Sequence, residues 1–451
     1  MRIHFIAIGG SAMHNLALAL HDSGHHITGS DDEIYEPSRS RLMKEGLLPE
    51  QFGWYTDKIE PNIDAIILGM HARVDNPELL RAQELGLPIY SYPEFVALQS
   101  VKKKRVVIAG SHGKTTTTSI IMHALSSVAI EYDYLVGAQL EGFDRMVKLS
   151  DAGIIILEGD EYLSSPIDRR PKMMHYDPAI AIVTGIAWDH INVFPTLDSY
   201  IDQFRQFINE MGKDSILYFY DQDDYVKTIL SEHSHTCKTV GYNQIAIDEN
   251  RTITLGKERY PIHLIGNHNL QNIKAAESVC MQLGMSPTDF YASLKSFKGA
   301  NKRLQLLREG DDGRGFVYLD FAHAPSKVNA TTQAVKDWYT ESKLVAVFEL
   351  HTFSSLNKDF LPQYKQALNA ADEAVVFFSE HALQMKRMPP LDHKFVSQTF
   401  DHPNLKVISN KDDLEDFLVR LELAQINLLL MTSGNFDKLS LKSILSTELN
   451  T

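Results

Sequence analysis

The run Gly110-Ser111-His112-Gly113-Lys114-Thr115-Thr116 carries the strongest chemical signal in the chain. Glycines let successive backbone N–H groups turn toward one point. A helix starting just beyond them adds partial positive charge there. A lysine on such a turn can reach terminal phosphates, and the next threonine hydroxyl can ligate Mg²⁺. The common loop has a glycine five residues before its Gly-Lys pair. Ile108 stands there, so this loop is a variant. Downstream, Glu158-Gly159-Asp160-Glu161 closes an apolar run. A carboxylate at the end of a parallel strand faces the crevice where ligands bind, and Glu158 offers the oxygen ligand that Mg²⁺ prefers. Asp189-His190 follows the next apolar run at a similar level. Near the start, Gly9-Gly10 follows one apolar run and Ser30-Asp31 a second.

These residues need elements to hold them. Short apolar runs alternate with amphipathic stretches throughout, the pattern of βαβ units. Strands are expected at 3–8, 26–29, 64–68, 105–109, 153–157 and 179–183, then from 316, at 344–349, 373–378 and 427–431. Helices are expected at 12–23, after Asn76-Pro77, at 114–127, at 197–211 and following Asn269–Asn272. The stretch 250–265 alternates as short strands. The basic run Lys102–Arg105 reads as a solvated linker. Three successive α/β units result, with breaks near 102 and 302.

The totals narrow the function classes. A chain of 451 residues exceeds one hydrophobic core. A net charge of −14 argues against a general nucleic-acid binder, which needs a basic face. Cys237 and Cys280 form neither a metal pattern nor a disulfide framework, which fits a reducing cytoplasm. The first residues, MRIHFIAIGG, lack the basic region and long apolar stretch of a secretory signal. No apolar run approaches the roughly 18 residues of a membrane span. The expectation is therefore a cytoplasmic protein with no membrane insertion.

Taken together, these motifs resemble the Mur ligase superfamily, the ATP-dependent ligases of peptidoglycan assembly, essentially from end to end. GSHGKTTTT (110–118) is similar to that family's shorter phosphate loop. GNHNLQN (266–272) is similar to its adenine-contacting segment. KGANKRL (298–304) and DFAHAPSKV (320–328) resemble the motifs that bring its third domain to ATP. IGGSAM (8–13) and GSD (29–31) resemble the uridine-diphosphate site of the alanine-adding branch. LEGDEYLSSPIDRRPKMMHYDP (157–178) and MTSGNFD (431–437) are more similar to the murein peptide ligase branch.

The resemblance implies an α/β protein of three domains. Residues 1–102 would form a Rossmann-like UDP-sugar domain. Residues 103–302 would form a central ATP-binding domain with a P-loop ATPase-type parallel sheet. Residues 303–451 would form a Rossmann-like domain for the peptide or amine substrate. The implied reaction joins L-alanyl-γ-D-glutamyl-meso-diaminopimelate to UDP-N-acetylmuramate through an acyl phosphate, in cell-wall recycling. The alternative is L-alanine as donor, which His351-Thr352-Phe353-Ser354 keeps open through its likeness to an alanine-branch motif. The implied partners are UDP-N-acetylmuramate and a peptide or amino acid; the implied cofactors are ATP and Mg²⁺.

By the same resemblance, Lys114 would sit on the β- and γ-phosphates, cradled by Gly110 to Thr116. Thr115 and Glu158 would hold one Mg²⁺. His190 would help hold a second ion or contact the acyl phosphate. Asp160, Glu161 or His190 would take the amine's proton. His268, Asn269 and Asn272 would frame adenine. Arg303 would reach the phosphates, and Asp320 the ribose or a metal-bound water, with His323 nearby. Gly9, Gly10, Ser11, Ala12, Met13, Ser30 and Asp31 would take the UDP-sugar. Three departures stand out. Ala7 and Ala12 replace the outer glycines of the first loop. Gly185-Ile186-Ala187 replaces an Asn-x-Glu before Asp189. No lysine occurs in 197–211, where several relatives carry a carboxylated one; the alanine-adding branch lacks it too. Two rival classes are an NAD-binding reductase, from Gly9-Gly10 and Asp31, and a nucleotide-regulated binding protein without chemistry.

Overall fold

The structure, a computed structural model, describes residues 1–441 except 141, 192, 233–234, 298 and 301. Lys298 and Asn301 of the KGANKRL motif therefore lie outside the described residues. The chain is α/β, with three parallel-sheet domains. The first sheet has the strand order His26–Ser30, Arg2–Ile6, Ala65–Leu68, Ile89–Ser91. The second runs Lys238–Tyr242, Ile216–Tyr220, Ile180–Val183, Lys104–Ala109, Ile154–Glu158, Asp133–Leu135, Val147–Lys148. Among the described residues, only Val147–Lys148 is antiparallel to its neighbour there. The third runs Gln305–Arg308, Val317–Asp320, Ile426–Met431, Lys343–Leu350, Glu373–Phe378, Leu405–Ile408, with Gln305–Arg308 antiparallel at one edge. Thr252–Leu255 and Glu258–Pro261 form a separate hairpin.

The continuous apolar runs become the central strands because a parallel sheet covered on both faces buries every side chain. Ile155, Ile156 and Leu157 are fully buried, as are Val106, Val107 and Ile108 beside them. The chain folds into two compact units. One comprises Met1–Ile186, Ile201–Asn243 and Ile273–Leu294, and so holds the first two sheets. The other comprises Ala187–Tyr200, Gln244–Asn272 and Lys295 onward, and holds the third sheet.

Three local expectations change. The first strand ends at Ile6, because the backbone turns at Ala7 (φ 70°), a conformation that an L-residue adopts at a cost. The helix after the hairpin Thr252–Pro261 begins at Asn267, so Asn269 and Asn272 lie inside its first turns instead of preceding it. The basic run is mostly not a linker. Lys104 and Arg105 open the central strand. The Arg105 guanidinium donates to Ala97 O (3.0 Å) and Ser100 O (3.2 Å), at the carboxyl end of helix Tyr92–Gln99. A cation is favoured there because the last carbonyls of a helix lack intrahelical partners. Lys103 donates to Ser150 O and Ala152 O, both at 2.7 Å, and pairs with Asp133 at 2.8 Å. Lys102 and Lys104 keep exposed side chains.

The Asp133 side chain is fully buried and also accepts from Ser150 N (2.9 Å) and Ser150 Oγ (2.6 Å). Removing the lysine leaves a buried anion with only neutral donors. Lys103→Met is expected to destabilise the first unit by about 3 kcal/mol. A fall in the first unfolding transition on heating, read by calorimetry, checks it; an unchanged transition contradicts it.

Candidate active site

In the first unit, the strand Lys104–Ala109 delivers the chain into Gly110–Gly113, and the helix Lys114–Ser127 starts at once. Gly113 has φ 80° and Gly110 φ 121°, both left-handed-region angles that favour glycine. A Cβ on Gly110 would also run into the backbone nitrogen of Thr184 at 2.8 Å. The loop is braced from the neighbouring strand's end. Ser111 N donates to Gly185 O (2.9 Å), and the Thr184 hydroxyl donates to Ala109 O (3.1 Å) and to His112 O. Gly185 itself has φ 135°. The replaced Asn-x-Glu positions thus hold a backbone brace: Asp223 accepts from Ile186 N (2.8 Å) and Val226 N (2.9 Å).

Lys114 Nζ donates to Gly110 O and to Glu161 Oε2, each at 2.6 Å. Burial alone would lower its pKa; Glu161, then Asp160 and Glu158, outweigh burial and raise it. Thr115 Oγ1 donates to Glu158 Oε1 (2.9 Å), and Gly137 N donates to Glu158 Oε2 (2.9 Å). A Cβ at Gly137 would stand 2.8 Å from Glu158 Oε1, so glycine is what lets that backbone reach the carboxylate. Asp160 pairs with Lys172, whose ammonium lies 5.7 Å from the ring centres of both Tyr92 and Tyr162. Burial opposes the Lys172 charge, but Asp160 and Tyr92 raise its pKa overall. Asp168 joins Arg170 (2.8 Å) and His175 (3.2 Å) in the same segment. Burial lowers the pKa of His175.

The first sheet carries the second loop. Gly9 N donates to Asp31 Oδ2 at 2.7 Å, and a Cβ there would meet Ile34 at 2.8 Å and Asp31 at 2.9 Å. Gly10 caps helix Ser11–Asp22 without any side-chain cap. Ser11 Oγ reaches Met146 Sδ at 3.4 Å; Met13 is buried and Ala12 partly buried. Ser30 is buried, accepts from Lys58 Nζ at 3.2 Å, and its carbonyl takes Ala7 N and Ile8 N. Burial, with Asp32 beside it, pushes Asp31 up to about 6.

The second unit holds the remaining expected residues. His190 takes a φ of 54° and its N–H donates to Asp189 Oδ1 at 2.7 Å. Asp189 Oδ2 faces His323 Nε2 at 3.5 Å, and His323 Nδ1 bonds Phe321 O at 2.9 Å. Burial works against the Asp189 charge; the His323 hydrogen bond, with His190 and Lys327, holds its carboxyl well below the usual range. Asp320 accepts from Leu304 N (2.6 Å) and Ala322 N (2.7 Å), which ties the motif around Arg303 to the sheet. The Arg303 guanidinium lies 4.7 Å from the Phe321 ring centre. Asn269 Nδ2 donates to Ile265 O (2.8 Å) and Asn272 Nδ2 to Asn269 Oδ1 (3.2 Å). Burial lowers the pKa of His268.

Thus Lys114, Thr115 and Glu158 come together in the first unit, with Gly9 on Asp31. Asp189, His190 and His323 come together in the second. Five participants were not anticipated: Tyr92 and Thr184 as braces, Lys172 as the counter-ion of Asp160, Gly137 as a donor, and Glu349. Glu349 is buried at the end of strand Lys343–Leu350, where it accepts from Thr432 Oγ1 and from Phe436 N (2.9 Å). Its signal was available: an acidic residue one position before the end of the apolar run LVAVFEL resembles Asp320 at the end of VYLD.

Comparison with known proteins follows this geometry. Residues 108–280 match the model of the Mur ligase middle domain, and residues 2–103 that of the Mur ligase family, catalytic domain. The chain is similar to UDP-N-acetylmuramate--L-alanine ligase of Lactobacillus acidophilus, 32% identical over 387 residues, covering 83% of this chain and 84% of that one. It is 27% identical to the enzyme of the same name from Sulfurihydrogenibium, over 97% of this chain and 96% of that one. Among solved structures, a murein peptide ligase from Psychrobacter arcticus aligns with TM-score 0.70 and 22% identity over 99% of both chains. A UDP-N-acetylmuramate-alanine ligase from Thermotoga maritima aligns with TM-score 0.71 and 21% identity over 97% of both.

Because the pKa of Asp31 is raised in the folded protein, the folded state holds its proton over a range where the unfolded chain has lost it. Its contribution to stability therefore falls as pH rises from about 4 to about 6 and is level above. Asp31→Asn is expected to remove this slope while still accepting from Gly9 N. Denaturation midpoints of both proteins between pH 4 and 7 check it; parallel curves contradict it.

Proposed function

The chain belongs to the Mur ligase family and forms an amide bond at the expense of ATP; on that premise, we propose that it activates the lactyl carboxylate of UDP-N-acetylmuramate. A carboxylate and an ammonium do not condense at neutral pH, because oxide is a poor leaving group. A carboxylate oxygen instead attacks the γ-phosphorus of ATP, and ADP leaves. The donor's amine then attacks the acyl carbon, loses a proton, and inorganic phosphate leaves. The protein's share is positioning and charge neutralisation.

The observation that carries this reading is the loop Gly110–Thr116 with its carboxylate partners. Lys114 exchanges Gly110 O and Glu161 for the β- and γ-phosphates, and the loop Ser111–Gly113 cradles them through the N–H groups of His112 and Gly113, with Ser111 N–H holding the loop on Gly185 O. The Thr115 hydroxyl and Glu158 lie 2.9 Å apart, a pair of hard oxygen donors that fits Mg²⁺. When bound, the ion would neutralise phosphate charge. His190 is proposed for a second ion or the acyl phosphate. His268, Asn269 and Asn272 are proposed for adenine, since an asparagine amide offers both the donor and the acceptor that an adenine edge requires. Arg303 serves the phosphates, Asp320 the ribose, and His323 stands with it. At the other substrate, the N–H groups of Gly10 to Met13 take the diphosphate, as an uncapped helix start does, while Gly9 N–H on Asp31 shapes the turn before it. Ser30 and Asp31 take the uracil–ribose end.

The amine donor has two readings. L-alanine is supported by relatives that carry that donor in their name, one of them 32% identical. A peptide ending in diaminopimelate is supported by the segment 157–178, with its Asp160–Lys172 pair and its Asp168, Arg170 and His175 cluster.

Incubation with ATP, Mg²⁺, UDP-N-acetylmuramate and either donor is expected to release phosphate and a UDP-linked amide, followed by phosphate assay and mass spectrometry. Release with alanine alone selects the first donor, and release with the tripeptide alone the second. No release with either defeats the ligase reading. Glu158→Gln is expected to lower kcat by 10² or more, the usual order for losing a preorganised charge at a phosphoryl centre. Retention of full activity would remove Glu158 from the site.

A further inference from the structure

The hairpin Thr252–Leu255 with Glu258–Pro261 takes no part in the chemistry above, yet it is anchored inside the unit of the third sheet. Arg251 stands at its root in a left-handed conformation (φ 52°). Its N–H donates to Asp248 O and its carbonyl accepts from Ile262 N, each at 2.9 Å. The Arg251 guanidinium lies 3.9 Å from the ring centre of Trp338 and donates to Leu264 O at 2.9 Å. Trp338 closes the helix Pro325–Trp338. Its ring heads an aromatic row. Tyr339 meets it edge-on at 6.5 Å, Phe316 stacks on Tyr339 at 4.9 Å, and the hydroxyls of Tyr339 and Tyr318 are 2.7 Å apart. Tyr318 belongs to the strand that ends in Asp320. Packed rings of this kind hold one another in place. Burial lowers the pKa of Arg251. Its charge is met by the Trp338 face and a carbonyl dipole, contacts that fix a position.

The carbonyl that Arg251 holds leads directly into the segment 266–272. Ile265 follows Leu264 and is buried in the third sheet's core with Ala334 and Val335. Gly266 (φ 93°) comes next and lies on the same helix: a Cβ there would stand 2.7 Å from Ala334 Cβ and 2.7 Å from His268 Cε1. Asn269 Nδ2 donates back to Ile265 O, and Asn269 Oδ1 accepts from Asn272 Nδ2. Three consecutive residues are thus tied to the helix Pro325–Trp338: Leu264 through Arg251 and Trp338, Ile265 in the core, and Gly266 on Ala334. The orientation of the Asn269 amide depends on where that turn sits. Adenine presents an amino donor at the purine position where guanine presents a carbonyl acceptor. An amide held in one orientation tells them apart, and one free to turn over accepts either.

We propose that Arg251 and Trp338 are positioning residues for base selection: they hold the turn Leu264–Gly266 on its helix, so that His268, Asn269 and Asn272 meet adenine in one geometry. This rests on the adenine reading of those three residues given above. The test uses the full chain with Mg²⁺ and measures ADP and GDP binding by titration calorimetry, with ATP turnover assayed in parallel. Wild type is expected to prefer ADP by about tenfold or more, the order expected of a site that hydrogen-bonds one base edge. In Arg251→Ala, Kd for ADP is expected to rise about tenfold, the loss of a partly desolvated cation–ring contact with its carbonyl bond. Kd for GDP should move less than about twofold, and kcat at saturating ATP should change far less than KM for ATP. Trp338→Leu should lose the same selectivity, and the double variant no more than either single one, because both remove one contact. Trp338→Phe keeps an aromatic face under the guanidinium and should retain most of the preference. An unchanged ADP-to-GDP ratio in both Arg251→Ala and Trp338→Leu overturns the proposal. Equal weakening of both nucleotides marks a merely structural role and overturns it too. A wild type that turns over ATP but binds ADP and GDP alike also overturns it, and leaves the ligase reading standing. Absence of all nucleotide binding defeats the ligase reading as well.

Discussion

Glu158, Asp160 and Glu161 put three carboxylates into four residues of chain, at the end of a buried strand. Like charges so close repel strongly where water is scarce. Each carboxylate is therefore given its own partner from a different part of the first unit. Glu158 takes Thr115 Oγ1 and Gly137 N, Asp160 takes Lys172, and Glu161 takes Lys114. Satisfying all three requires the phosphate-loop helix, the strand Asp133–Leu135, and the turn Lys172–His175 to converge on one strand end. Lys172 in turn sits near the ring of Tyr92, at the start of a helix that follows the first sheet. The pairing that keeps the anions apart thereby also joins the first sheet to the second.

The same logic governs the loops. Two backbone segments approach closely at Gly110 and Thr184, and the side chains of Asp31 and Ile34 come as close to the backbone at Gly9. In both places glycine removes the Cβ that would block contact, and a hydrogen bond replaces it. The departure at Gly185 belongs to this pattern. A glycine at φ 135° offers its carbonyl to Ser111 N, which an extended polar residue at that angle would do only under strain. The departure at Ala7 goes the other way, since an alanine bears a left-handed angle there. Its Cβ is buried against the core around Ile6, Ile66 and Leu68, and that burial offsets part of the cost.

In the second unit, buried carboxylates at strand ends act as clamps. Asp320 binds the backbone at Leu304 and Ala322, and Glu349 binds Thr432 and Phe436. Asp189 is held as an anion by His323 and its neighbours. Each clamp fixes a loop at the carboxyl edge of the sheet, so the residues between clamps keep one geometry. The phosphate loop has no comparable freedom either. Rigid framing of flexible-looking, polar segments is common to both units.

Much was legible in the residues alone. The alternation of apolar runs determined an α/β chain, because only a sheet covered on both faces buries unbroken apolar strands. The phosphate loop was readable because its chemistry is local: a turn of glycines, a lysine and a hydroxyl, all within seven residues. The pairing of Lys114 with Glu161, 47 residues away, and of Asp160 with Lys172 was not readable, nor was the role of Tyr92. Lys103 and Arg105 looked like a solvated run because charge composition does not reveal which carbonyls lie within reach. Ion pairs and braces depend on which strand ends adjoin, and strand order is set by long-range packing. The sequence by itself determined the elements and the phosphate-binding turn, through local backbone preference and periodicity. Only the tertiary structure decided which carboxylate faces which cation, because that depends on distances between segments the chain order keeps apart.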